Sequence, residues 1–543
     1  MVSLLAPEPP AQARSRRWTD IVSPVRLIPL SSVPTQIRGL RSYFGTIELS
    51  SASDGIVVVN VLPLERYLLG LNEVPLDWPM EALKAQAIAA RTYALWTLGN
   101  DRSGAAEVYG FDICASDECQ VFSGADVLRT PDGRRWRDAV RATSGTAVLF
   151  EGEPILARYH STSGGETFAN ADVFEGSANL PYLRGVPSPD ETGSPFFHWT
   201  VRFRLDVLGE MLASAGYGDL GPLVAVRTVA STAGRHDPAV ELRGRGGTRV
   251  VSASSLRDIV RDEAPRLRPR RYPSLAPDGI TRLPETLPSD RFEVETFGGT
   301  VEVNGRGWGH AVGMSQWGAQ GMARDGSEHR AILAHYYPGT SLGDVATDRS
   351  VEVGVAWGRE EVRAFGAFRV ADGLGNTVVE RAIGTWTFGS DGTGALSVEA
   401  PRSFGRAAHV ALQRPPARVP VGDTIALRLR LSAPARLTTS TTGPGPDRMS
   451  MVVRDRGQTR LRWRAPERPG RYRIVVRATG ASSADASKVH EVAVVGEAQA
   501  PGAAGERSLW ETVLVGAAAV ALVAAIVVGA ASFATTISGR WRI

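Results

Sequence analysis

Glu73 is a carboxyl group whose surroundings could suit it to acid–base chemistry. It stands in Asn72-Glu73-Val74-Pro75-Leu76-Asp77-Trp78-Pro79, a connection stiffened by two prolines directly ahead of an alanine-rich stretch. Proline fixes φ, so a carboxyl group on such a connection is held in place. Apolar and aromatic neighbours desolvate a carboxyl group and raise its pKa, as a general acid requires. The N-terminus of the following helix pulls the other way, towards the ionised form. A solvated surface glutamate is the plain alternative.

Two further segments carry groups that could meet a substrate. Gly305–Gly321 interleaves six glycines with Trp308, His310, Gln316 and Trp317. Glycine admits close backbone approach, and tryptophan faces beside Gln and His donors suit the apolar faces and hydroxyls of a sugar. A dinucleotide fingerprint is not met, because Gly307-x-Gly309-x-x runs into Val312. A tight loop that packs its tryptophans as core is the alternative. Tyr159-His160-Ser161-Thr162-Ser163-Gly164-Gly165-Glu166-Thr167 offers hydroxyls and a histidine. It lacks a G-x-S-x-G elbow, so a polar substrate-lining loop is expected rather than a serine nucleophile, with a plain turn as the alternative. Cys114-Ala-Ser-Asp-Glu-Cys119 holds both cysteines of the chain. A disulfide, a zinc site needing two more ligands, and a reactive thiol are the three readings, the disulfide leading.

The elements that must position these groups are mostly strands. Pro79–Leu98 is the exception: Ala, Leu, Gln and Met dominate it, and Gly99 suits a stop. Leu83, Ala87, Ala90 and Ala94 form a narrow face of small side chains that lets another backbone approach. Ile56–Leu62 and Arg202–Arg204 read as strands, so the class is α+β. Further on, Ile425, Leu427, Leu429 and Leu431 alternate with polar positions, and Tyr472, Ile474, Val476 and Ala478 repeat the pattern after a Pro469-Gly470 turn. About 90 residues of this kind predict an immunoglobulin-like β-sandwich.

Composition removes several classes. Basic residues outnumber acidic ones by only 61 to 57 in 543 residues, so no nucleic-acid partner is expected. Lys84 and Lys488 are the only lysines, and neither follows a Gly-rich phosphate loop, which excludes a P-loop NTPase. From Thr512 to Gly539 no charged residue occurs, and a bilayer core takes about 20 apolar residues as helix. The sequence therefore predicts a C-terminal transmembrane helix. Arg540 and Arg542 after it place the short tail inside and the preceding chain outside by the positive-inside bias. The predicted localisation is the cell membrane, single-pass, with the membrane as a partner and the catalytic domain extracellular. Met1–Leu5 is too short for the apolar region of a signal peptide, so export needs an upstream segment or another route.

Five ordered blocks together resemble the stage II sporulation protein D family, whose SpoIID domain also occurs in amidase-enhancer proteins. They are Glu73–Ala94, Cys119-Gln-Val-Phe-Ser-Gly124, Tyr159–Thr167, Gly305–Gly321 and Tyr336-Tyr-Pro-Gly-Thr340. The resemblance covers roughly residues 25–350. The expected organisation is an N-terminal segment 1–24, a SpoIID-like catalytic domain 25–350, and a β-rich extension 351–402. An Ig-like sandwich 403–497, a linker 498–509, a transmembrane helix 510–536 and a cytoplasmic tail 537–543 complete it.

The resemblance implies a lytic transglycosylase acting on peptidoglycan glycan strands stripped of peptides, with Glu73 as the catalytic acid. One carboxyl group suffices for that reaction, because the muramic sugar's own 6-hydroxyl replaces water, whereas glycoside hydrolysis generally uses two. Gln86, Arg91 and Tyr93 on the helix are expected to position the sugar. So are His160, Ser161 and Gly164 in the polar loop and Trp308, His310 and Gln316 in the glycine loop. No cofactor is expected; zinc at Cys114 and Cys119, which some relatives bind, is the alternative, weakened by Glu118 where those relatives carry histidine. The competing functional reading is a non-catalytic peptidoglycan-binding protein that recruits or stimulates a cell-wall amidase.

Overall fold

The computed structural model describes residues 16–495, apart from 175, 230–236, 391–393 and 482–484. The largest element is an 11-stranded sheet. Its main path runs through Arg17–Val22, Ala395–Glu399, Thr377–Ser390, Glu361–Ala371, Val25–Pro29, Thr46–Ala52, Gly55–Pro63, Ser350–Arg359 and Ile113–Cys114. Strands from both ends of this stretch of chain alternate in it. The predicted strand at Ile56–Leu62 lies inside Gly55–Pro63, with Ile56, Val57, Val58, Val59 and Asn60 buried in succession, as befits a strand covered on both faces.

Helix α1 (Leu64–Leu68) and helix α2 (Met80–Leu98) follow. The α2 face Leu83, Ala87, Ala90 and Ala94 packs into the core of the large sheet. Its opposite face, Ala85, Ile88 and Ala89, packs into a second core with Val148, Val312, Met314 and Tyr337. A helix apolar on every side is a buried one, and alanine is what lets neighbours close on it from both directions. Residues 198–306 form a separate lobe. It carries two three-stranded sheets and the helices Leu205–Leu212 and Ala253–Leu267 around its own core of Trp199, Phe203, Met211, Leu256 and Val303.

Of the three charged residues on α2 (Glu81, Lys84 and Arg91), Arg91 is the one in the buried part of the helix. It is fully buried, and its guanidinium donates to both Glu65 carboxylate oxygens at 2.6 and 3.0 Å. It also donates to the carbonyls of Thr146 (3.1 Å) and Val140 (3.3 Å). The side chain thereby ties α2 to α1 and to the helix Gly133–Ala142.

Two expectations are corrected. The immunoglobulin-like sandwich is not formed: among the described residues there is no closed Ig-like barrel. Residues 410–495 make a three-stranded sheet (Val410–Leu412, Thr424–Leu431, Gly457–Arg464) and a five-stranded one. Their shared core includes Leu429, Leu437, Trp463 and Ile474. An immunoglobulin constant domain sets four strands against three in antiparallel sheets. Here the count is three against five, and Arg418–Pro420 joins Asp485–Val495 in parallel. Alternation dictates half-buried strands but not their order. The second correction concerns the membrane. The expected span 510–536 lies outside the described residues, and no helix among the described residues is long and apolar enough to cross a membrane. The described residues therefore give no support to the transmembrane helix, the membrane partner or the single-pass localisation, and these expectations are not carried further.

Because the buried Arg91 guanidinium makes four hydrogen bonds, Arg91→Ala is expected to lower the unfolding free energy by about 3 kcal/mol in urea titrations. Arg91→Lys should recover only part, since an ammonium cannot reproduce the planar fork.

Candidate functional site

The connection between α1 and α2 is held by the segment after the second cysteine. Asn72 N–H donates to Val121 C=O at 2.9 Å, and Leu71 bridges Phe122. Glu73 is thus set against Val121, whose N–H donates to Glu73 Oε1 at 2.7 Å. The Tyr159 hydroxyl donates to the same oxygen at 2.9 Å. Behind Tyr159 the chain of bonds continues. Gln120 Nε2 donates to Tyr159 Oη (2.8 Å) and to Ala90 C=O (3.3 Å), and Tyr67 Oη donates to Gln120 Oε1 (2.8 Å). Every member of this buried network has a partner, which is the condition for it to rigidify the site.

Desolvation pushes the Glu73 pKa up to about 7, against the bonds from Tyr159 and Val121 and the Gln316 side chain, and with the nearby Asp117 charge adding to the rise. The opposition between burial and stabilisation of the anion, open in the sequence, is decided for burial. Burial also drives the Tyr159 hydroxyl well above its ordinary range, so it remains a donor to Glu73.

Glu73 lines a cavity of about 630 Å3 at the junction of the main domain and the 198–306 lobe. Trp78, Trp317, Trp308 and Phe196 contribute aromatic wall. Trp78 and Trp317 meet edge to face at 5.1 Å, as do Trp308 and Phe196. The lobe supplies Arg257, which holds both oxygens of Glu285 at 3.0 Å.

The two predicted loops cross at this cavity. Tyr159–His160 pairs in parallel with Met314–Ser315, and Thr162 bridges Trp308. Glycine is required where they touch: a Cβ on Gly313 would lie 2.1 Å from Arg158 C=O, and one on Gly307 2.5 Å from Thr162 C=O, both at positive φ. The fully buried Glu191 clamps the polar loop, accepting from Ser163 N–H (2.5 Å), Gly164 N–H (3.1 Å) and the Ser163 hydroxyl. His160 is buried, with Nδ1 bonded to Val312 C=O at 3.2 Å. Burial and the neighbouring His310 hold its pKa well below the usual range, so it is a neutral ring.

Of the residues expected to meet a sugar, the structure brings Tyr93, His160, Ser161, Trp308, His310 and Gln316 to the cavity with Glu73. Three are placed elsewhere. Arg91 is committed to Glu65. Gln86 is buried behind Gln316, accepting from its Nε2 at 3.4 Å. Gly164 serves the Glu191 clamp. Cys114 and Cys119 are joined as a disulfide, and the loop they close brings Asp117 and Glu118 to the cavity edge. Among the described residues no group of three or more His, Cys, Asp or Glu could hold a metal ion. Asp117, Arg158, Arg257, Glu285 and Glu191 escaped the sequence reading. Asp117 lies inside the cysteine segment singled out there and Arg158 adjoins the polar loop; for Glu191 no local signal exists.

This arrangement sets a raised-pKa carboxyl group in an aromatic-walled cleft on a mixed α+β domain. Residues 52–150 match the family model described as Stage II sporulation protein, SpoIID. The chain is 31% identical over 297 residues to the stage II sporulation protein D of Bacillus amyloliquefaciens, covering 53% of this chain and 76% of that protein. To the stage II sporulation protein D of Bacillus subtilis (strain 168) it is 31% identical over 295 residues, with the same coverage of 53% and 76%. It is also 28% identical over 306 residues to the amidase enhancer of Bacillus subtilis (strain 168), covering 50% of this chain and 39% of that protein. The chain belongs to the stage II sporulation protein D family.

The Glu73 carboxyl carbon, followed by NMR, is expected to titrate near pH 7. Tyr159→Phe removes a bond that favours the anion, so the midpoint should rise by about half to one pH unit, the worth of one hydrogen bond of about 1 kcal/mol. A fall instead would mean that Tyr159 holds the acid form.

Proposed function

We propose that this chain remodels the bacterial cell wall and that Glu73 makes it a lytic transglycosylase of peptidoglycan glycan strands. The observation that carries this reading is the Glu73 carboxyl group, half-buried in a 630 Å3 cavity with its pKa raised to about 7. A general acid works best when its pKa lies near the operating pH. Protonated Glu73 gives its proton to the glycosidic oxygen as the MurNAc–GlcNAc bond breaks at C1. The carboxylate then takes the proton of the muramic 6-hydroxyl as that oxygen closes on C1, leaving a 1,6-anhydro end and restoring the acid. The Tyr159 and Val121 donors hold Oε1, which leaves the other carboxyl oxygen for the transfer.

A second reading has an observation of its own. One relative is named an amidase enhancer, and the matched names speak of sporulation and amidase enhancement, not of glycan cleavage. The comparisons therefore favour a peptidoglycan-binding protein that recruits or stimulates an amidase, whereas the chemistry of Glu73 favours cleavage.

Peptide-free glycan strands incubated with the chain, with products read by mass spectrometry, decide between them. The expected outcome is anhydro-ended fragments, lost at least a thousandfold with Glu73→Gln. Reducing ends would mean hydrolysis and give Asp117 the second carboxylate role. Intact strands, with amidase stimulation that survives Glu73→Gln, would establish the enhancer reading. The acid form is the active one, so kcat/KM should be flat below about pH 7 and fall tenfold per pH unit above it.

A further inference from the structure

Arg158 is a charged group in the cavity wall that the chain itself does not neutralise. Its backbone is fixed: N–H donates to Leu156 C=O at 2.8 Å, and C=O accepts from Met314 N–H at 3.1 Å and from the Tyr337 hydroxyl at 2.7 Å. The guanidinium lies 3.8 Å from the centroid of the Phe174 ring. Its Nε is buried without a hydrogen-bond partner, and among the described residues no carboxylate forms an ion pair with it. Two other guanidiniums beside the site are paired: Arg257 holds Glu285 and Arg91 holds Glu65. Burial lowers the Arg158 pKa, yet a guanidinium in a protein stays charged. An uncompensated charge in a half-buried site is costly, and an incoming anion removes that cost.

We propose that Arg158 is the anion subsite of the cavity and receives the carboxylate of the lactyl ether that distinguishes muramic acid from glucosamine. The inference rests on the glycan reading above and names what that site selects. The Phe174 face orients the guanidinium plane and leaves its edge for two parallel N–H bonds to a carboxylate. Neutral His160 and the aromatic wall beside it keep the local dielectric low, which strengthens a charged pair. A muramic acid whose lactyl group carries a peptide presents an amide there, without charge and with one acceptor oxygen. Arg158 therefore favours peptide-free muramic acid over both the peptide-bearing sugar and a polymer of N-acetylglucosamine alone.

Binding separates this inference from the question of cleavage. The full chain carrying Glu73→Gln, which prevents turnover, is titrated against fluorescently labelled peptide-free strands. One preparation keeps the free lactyl carboxylates and a second has them converted to methylamides. Amidation is expected to weaken binding roughly tenfold. Adding Arg158→Gln should weaken binding of the free-carboxylate strands by a similar factor and leave the amidated strands unchanged, while Arg158→Lys keeps part of the preference. The ligand comparison needs no substitution at position 158, so a variant that folds poorly does not obscure it. Strands that bind equally well in both forms would overturn the subsite and leave the glycan reading standing. Failure of both forms to bind would overturn the glycan reading itself.

Discussion

A carboxyl group keeps its proton near neutral pH only while water is held away and its hydrogen bonds do not overcompensate. At Glu73 the two largest bonds in that balance come from the backbone of Val121 and from Tyr159. Both are themselves held. Val121 follows the disulfide loop that is anchored in the large sheet through Ile113–Cys114. Tyr159 is fixed through Gln120 to Tyr67 and to the carbonyl of Ala90 on α2. The site thus depends on α2 sitting where it does, and α2 sits there because its alanines let two cores close on it. An exposed helix at this place would hydrate Glu73 and return it to the ordinary carboxylate range.

The cavity divides its charges in space. Glu73, Asp117 and Glu118 come from the α1–α2 connection and the disulfide loop. Arg158 and the histidines come from the crossed loops, and the Arg257–Glu285 pair comes from the 198–306 lobe. The acid chemistry and the anion recognition proposed above are compatible because Arg158 forms no ion pair with Glu73. A direct pair would depress the Glu73 pKa and remove the acid. Glu191 serves the same end at a distance. By accepting two backbone N–H groups of the polar loop it holds Ser163 and Gly164 against the glycine loop, so the wall that presents His160 does not open.

Sequence reasoning was strongest where a single segment carries its own mechanical logic. The two prolines around Glu73, the alanine run after it and the glycine spacing of 305–321 each announce rigidity or close approach, and each appears in the structure as such. It was weakest where a side chain's role depends on what packs beside it. Arg91 on a helix next to a candidate site reads as a sugar ligand, yet it is consumed by Glu65, 26 residues earlier. Alternation at 425–431 and 472–478 reads as an immunoglobulin-like sandwich, yet the strands assemble as three and five with a parallel edge.

Local order is what the amino-acid sequence determined by itself: a helix over 79–98, the strands at 56–62 and 202–204, the acid on its stiff connection and the family the blocks resemble. These follow from periodicity, propensity and backbone restriction, which act over a few residues. Only the tertiary structure decided that strands 17–63 and 350–399 share one sheet, that Asp117 and Arg158 face the cavity, and that burial outweighs the helix N-terminus at Glu73. Desolvation and pairing are properties of what surrounds a group, and those surroundings come from segments tens to hundreds of residues away.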